Sequence, residues 1–193
     1  VGDAGPTGQT GPLGVSTIPG PQGPQGPTGP APSASVYELI FSLTFTTTGG
    51  LVFNNVFTAT YDVYMIVFSC VPGGTVDLLM QLRQAGANAI ANHYAYVGFD
   101  HSTSSVGMNN KGDPSATSWP INFQLTAASE AAGEILVFDP ANSSRTRMIS
   151  RSMSMNGANS VSQCEMTGIY KDAGGYDGFA LFQSTGTFTA GGY

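Results

Sequence analysis

The side chains able to do acid–base, nucleophilic or metal chemistry are few and scattered. Histidine occurs only as His93 and His101, and cysteine only as Cys70 and Cys164. Asp100 adjoins His101, a pairing that can poise an imidazole, but no nucleophile elbow or triad spacing accompanies it. His93 falls in an alternating stretch with Tyr94 and Tyr96, where a packed or surface histidine is expected rather than a general base. Glu130 and Glu134 are four apart, yet Gly133 and the strand expected from Glu134 argue against a shared helical face. Carboxylate pairs that cleave glycosides can come from anywhere in a fold. Fibres that cut polysaccharides are generally long solenoids, however, and nothing here repeats at a solenoid period. Gly73-Gly74 and Gly191-Gly192 read as turns, since neither opens a helix that would cradle phosphate. The cysteines lack neighbouring ligands at usable spacing. A disulfide between them is open from sequence, and two reduced, packed thiols are the expectation. No catalytic residue, cofactor or metal site is expected, and the chain does not read as an enzyme.

Binding chemistry has better candidates. Asp100 to Trp119 is the longest polar stretch and reads as a loop, and loops above about 12–15 residues are often binding loops. It carries His101, Asn109, Asn110, Lys111 and Trp119, the only tryptophan, a composition suited to stacking on and hydrogen-bonding a sugar ring. The competing reading is that Trp119 caps the core. A second candidate is the glycine-rich turn Lys171 to Gly178, which would display Tyr176. A plain exposed turn is the alternative there.

Those candidates sit behind a periodic N-terminus. Gly2, Gly5, Gly8, Gly11, Gly14, Gly20, Gly23, Gly26 and Gly29 occupy nine of ten successive every-third positions. Pro6, Pro12, Pro21, Pro24, Pro27 and Pro30 each follow a glycine directly. Three polyproline-II strands wind together only if the residue at the crowded axis has no side chain, so these glycines line a triple-helix axis and imply a homotrimer. At about 3 Å per residue the segment makes a rod of roughly 90 Å. Thr17 takes one glycine slot, where the helix should loosen or bend. Val1 reads as the end of an earlier triplet, so the natural chain is expected to extend upstream.

The rest of the chain alternates as strands do. Leu39, Phe41, Leu43 and Phe45 form one such series, and Gly49-Gly50 would turn it into a second strand over 51–58. Tyr61 to Cys70 is apolar on both faces, which places it between two layers or between subunits. Further strands are expected at 76–83, 93–99, 121–126, 134–138, 147–155, 161–170, 179–183 and 185–189. The expected fold is all-β. A collagen-like triple-helical stalk (1–32) is followed by a trimeric antiparallel β-sandwich head (33–193), jelly-roll-like in arrangement. Charged residues make up 9% of the chain, against roughly 25% in ordinary soluble domains, a scarcity that a subunit interface would explain. The net charge of −6 argues against a nucleic-acid partner, and no apolar run is long enough for membrane insertion.

Several short segments, in order, resemble the C-terminal domain of bacteriophage tail-fibre proteins, many of which carry collagen-like stalks. They are Phe53-Asn54-Asn55-Val56-Phe57, Tyr61-Asp62-Val63-Tyr64, Leu78 to Arg83 with Gly86, Phe138-Asp139-Pro140, Gly178-Phe179-Ala180-Leu181 and Ser184 to Tyr193. The resemblance implies a virion tail fibre, extracellular and homotrimeric, whose head binds a host-surface glycan or protein. It also implies docking to other tail or baseplate proteins through upstream sequence, and it carries over no catalytic residue. A bacterial cell- or spore-surface adhesin is the alternative, suggested by the triplets Gly5-Pro6-Thr7 and Gly26-Pro27-Thr28. A purely architectural capsid or neck fibre is a variant of the first reading.

Overall fold

Alternation of inward and outward side chains governs the described part of the chain. The structure, a computed structural model, describes residues 37–103, 105–127, 130–156 and 160–192. Segment 1–32, expected from its spaced glycines to be a collagen-like stalk loosened at Thr17, lies outside the described residues. The strands are β1 (Thr44–Thr48), β2 (Gly50–Phe53), β3 (Val63–Pro72), β4 (Val76–Gln84) and β5 (Ala87–Asn88). They continue with β6 (Tyr94–Ser102), β7 (Ser105–Ala116), β8 (Trp119–Leu125) and β9 (Ala131–Phe138). The chain closes with β10 (Arg145–Asn156), β11 (Ser160–Ala173), β12 (Gly178–Gln183) and β13 (Phe188–Gly192). No helix occurs among the described residues, and Ala127 to Ala132, the one stretch of helical composition, leads into β9.

The strands form two antiparallel sheets. The large one has the order β1-β13-β3-β9-β10-β11-β6-β7. The small one runs β2-β12-β4-β5, with β8 also paired to β4. β1 and β2 are not the hairpin expected from Gly49-Gly50. β1 pairs with β13 while β2 pairs with β12, so the two glycines carry the chain from one sheet to the other.

The sheets bury one apolar face each against the other. β3 turns Tyr64, Ile66, Phe68 and Cys70 inward, and β4 answers with Val76, Leu78, Met80 and Leu82. β12 and β13 add Phe179, Leu181 and Phe188. Phe53, Phe57 and Phe179 stack in a file at centroid distances of 4.7 and 5.6 Å. The inner face of β10 becomes small and polar after Met148, with Ser150, Ser152 and Ser154, and Gly168 of β11 stands opposite Met148. β8 lies directly against β10 and β11 there, because large side chains from β8 need small ones opposite them. Ser152 donates to the carbonyl of Ile121 at 2.8 Å and accepts from the Asn122 amide at 2.9 Å, so the close approach is also hydrogen-bonded.

Cys70 and Cys164 are both free and buried. β9 and β10 lie between their strands, a separation of about 14 Å at ordinary strand spacing, far beyond disulfide reach. Burial pushes both thiols up to about 12, and the Asp100 carboxylate adds to the effect at Cys164. Both are therefore expected to resist iodoacetamide at pH 8 in the folded protein and to react together once it unfolds. Rapid labelling of either thiol in native protein, read by mass spectrometry, would contradict this packing.

Candidate functional site

The long polar stretch expected as a binding loop is mostly strand. β6 extends to Ser102, the chain turns, and β7 returns from Ser105 to Ala116 as the edge of the large sheet. Its pairing is continuous enough to set His101 opposite Met108, Asp100 opposite Asn109, and Phe99 opposite Asn110. His101, Asn109 and Asn110 are exposed on this ribbon. Lys111 is half-buried, with its ammonium 4.8 Å from the ring centroid of Phe123, a cation–π placement that holds it against β8.

Two of the expected contact residues are corrected by burial. Trp119 is 0% exposed and begins β8 instead of ending a loop. Its indole N–H donates to the Ala95 carbonyl at 3.3 Å, and its ring meets Tyr94 edge-on at 5.0 Å. No sugar can stack on that ring from solvent, and the reading of Trp119 as a core cap is the one that matches. Tyr176 is likewise buried, edge-on to Tyr170 at 5.2 Å, and burial raises its hydroxyl pKa above the ordinary tyrosine value. The segment around it is not a free turn. β11 runs on to Ala173, and Tyr176 N–H donates to Pro140 while the Asp177 carbonyl accepts from Val56 and Phe57.

The groups considered for catalysis stay apart. His93 pairs with Asp172 at the surface and leans on Tyr170. His101 and Asp100 are adjacent on a strand and so point to opposite faces of the sheet. Glu134 lies 3.9 Å from Arg151, which is 3.2 Å from Glu165, an exposed ion triad. Among the described residues no group of three His, Cys, Asp or Glu side chains is placed to hold a metal ion.

What the fold does assemble is the outer face of the large sheet, in three bands. Register aligns Met65, Leu136, Ile149, Thr167 and Val97 across five strands, an apolar band. The next outward-facing row holds Val67, then Glu134, Arg151 and Glu165, then Phe99, a band with charge at its centre. Beyond it, Met153, Gln163, His101 and Met108 form a row over β10, β11, β6 and β7, with Met155 and Val161 one step further. Met153 is 62% and Met108 65% exposed. The two hairpins that carry this last band are tied at their ends, where the hydroxyls of Ser102 and Ser160 lie 3.0 Å apart and Thr103 N–H donates to Val161. Of the expected contact residues, His101 belongs to this methionine-rich end and Asn110 lies on the same face of the edge strand, whereas Asn109, opposite Asp100, points to the other face. Met153, Met155, Gln163 and Val161 were missed by sequence reasoning, because only register brings them beside His101.

No protein family, no curated protein and no solved structure matches this chain. Function therefore rests on the sequence periodicity and on this surface.

Proposed function

We propose that this chain is a homotrimeric bacteriophage tail-fibre protein whose head captures the host surface from the end of a collagen-like rod. The observation that carries the reading is the three-residue glycine phase before residue 30, kept in step across its one break at Thr17, which only a three-stranded helix requires. The segments that resemble tail-fibre heads add the virion context. A jelly-roll head agrees with the strand order. If the hairpins β6–β7 and β10–β11 are set aside with the short β5, the large sheet keeps β1-β13-β3-β9 and the small one β2-β12-β4-β8. Two four-stranded sheets with those long crossings are a pair of Greek keys, the jelly-roll arrangement.

Capture would work by avidity. Three heads on one shaft each make a weak contact, and the first engagement raises the effective concentration of the others. The methionine-rich end of the outer face is the contact surface that suits this role. Its thioethers adapt to irregular partners, while His101, Asn110 and Gln163 supply hydrogen bonds. Other virion tail or baseplate proteins would hold the fibre.

Antibodies raised against the head are expected to decorate fibre tips on phage particles in negative-stain micrographs. Label confined to a bacterial or spore surface would favour the adhesin reading and overturn this one. The double substitution Met108→Asp, Met153→Asp is expected to weaken adsorption about tenfold or more at unchanged melting temperature, since both side chains are exposed. Wild-type adsorption by that variant would remove the methionine row from the contact.

A further inference from the structure

We infer that the apolar band on the outer face of the large sheet is where a second copy of this chain packs, building the head trimer. The inference rests on the trimeric reading above and adds to it the surface that does the work. Val63, Met65, Val97 and Ile149 all face solvent in the single chain, Val97 at 64% exposure. Leu136, Phe138 and Ile169 lie half-covered between them. A groove of about 790 Å³ runs through the band, walled by Ala95, Val97, Pro114, Phe138, Ile149 and Ile169. Contiguous exposed apolar surface of this kind, rimmed by charged residues, marks an interaction site.

The occupant is fixed by the sequence. A triple-helical segment on the same chain requires three copies of whatever follows it, so two further heads are always at hand at high local concentration. The arginines around the band are already matched within one chain, which makes their partial burial tolerable, and Asp113 in the groove wall accepts from Ser115 N–H. Arg147 pairs with Asp139, and Arg151 with Glu134 and Glu165. A closed threefold ring joins two different patches of each copy. The run Leu39-Ile40-Phe41 supplies the second, since its side chains are exposed, with Phe41 meeting Phe53 edge-on at 5.5 Å. The groove thus receives this run from the neighbouring copy.

The test uses the full chain with Val97 replaced by the photoreactive p-benzoylphenylalanine, and a control with the same group at the exposed turn residue Thr185. The expected result is a trimeric mass in analytical ultracentrifugation and crosslinked dimers and trimers from position 97 only. The crosslinked peptide should contain residues 39–41 of another copy, and Ile149→Arg in the same chain should abolish the crosslink. A trimeric protein with no crosslink from position 97 overturns the assignment of this face and leaves the trimer intact. A crosslink to another copy away from residues 39–41 overturns the pairing of the two patches. A monomeric full chain overturns the trimeric reading itself.

Discussion

Trp119→Ala is expected to unfold the head rather than to blunt a contact with the host. The indole is completely buried, donates to the Ala95 carbonyl and meets Tyr94 edge-on. Gly168 is glycine because of it: a Cβ at that position would sit 2.5 Å from the indole Nε1. Truncating a fully buried tryptophan costs about 3–5 kcal/mol, from lost transfer energy and from the cavity left behind. For a domain of this size, a loss on that scale lowers the melting temperature by roughly 6–20 °C. Tyr94 loses one of its two ring partners, keeping Tyr170 at 4.6 Å, and its hydroxyl still accepts from Leu82 N–H at 2.8 Å and donates to the Ala89 carbonyl at 2.7 Å. Thermal denaturation followed by circular dichroism checks the expectation, with Trp119→Phe as an intermediate step. A variant that melts with wild type while adsorption weakens would return Trp119 to the surface.

The misplacement of Trp119 shows where local sequence runs out. β4, β10 and β11 carry alternating patterns and β3 a continuous apolar run, all readable directly, and their bounds fall close to those expected. β7 carries none, because its Ser, Asn, Lys, Gly and Pro residues are those of a loop. It is a strand because β6 offers an edge whose register β11 has already fixed, so tertiary pairing overrides propensity. The tryptophan then follows from β7 instead of capping a loop, and its pocket depends on Gly168, some fifty residues away. The same limit hides the outer bands. Met65, Leu136, Ile149, Thr167 and Val97 are unremarkable each in its own strand, and they make a surface only once four pairings are set. The apolar second face of 61–70 was the readable part. Its expected position between layers or subunits is met on one side only within the single chain, where Tyr64, Ile66 and Phe68 are buried and Val63, Met65 and Val67 are not.

Gly178→Ala is expected to destabilise the head by about 3 kcal/mol, the upper end for overpacking by one methyl. Gly178 opens β12, opposite Arg83 of β4 and against the end of β2. A Cβ there would collide with the Phe53 carbonyl oxygen, and would also stand 2.9 Å from its carbon and 3.0 Å from Asn54 Cα. Every one of those atoms is backbone, so no rotamer change can relieve the contact. Nor can the strands slide apart cheaply. The neighbouring Asp177 donates its N–H to the Arg83 carbonyl at 3.0 Å and accepts from Val56 and Phe57 at 2.9 and 3.1 Å. Separating β12 from β2 would leave buried backbone groups unpaired, each costing about 1–3 kcal/mol. Gly49→Ala is the matched control, because nothing lies within 4 Å of a Cβ there and its φ is not in the left-handed region. That change is expected to be neutral or to stabilise by about 0.4–1 kcal/mol through the unfolded chain. Chemical denaturation of the two variants side by side separates the steric cost from any general intolerance of alanine. Equal midpoints would mean that β2 and β12 do not approach as closely as the register requires.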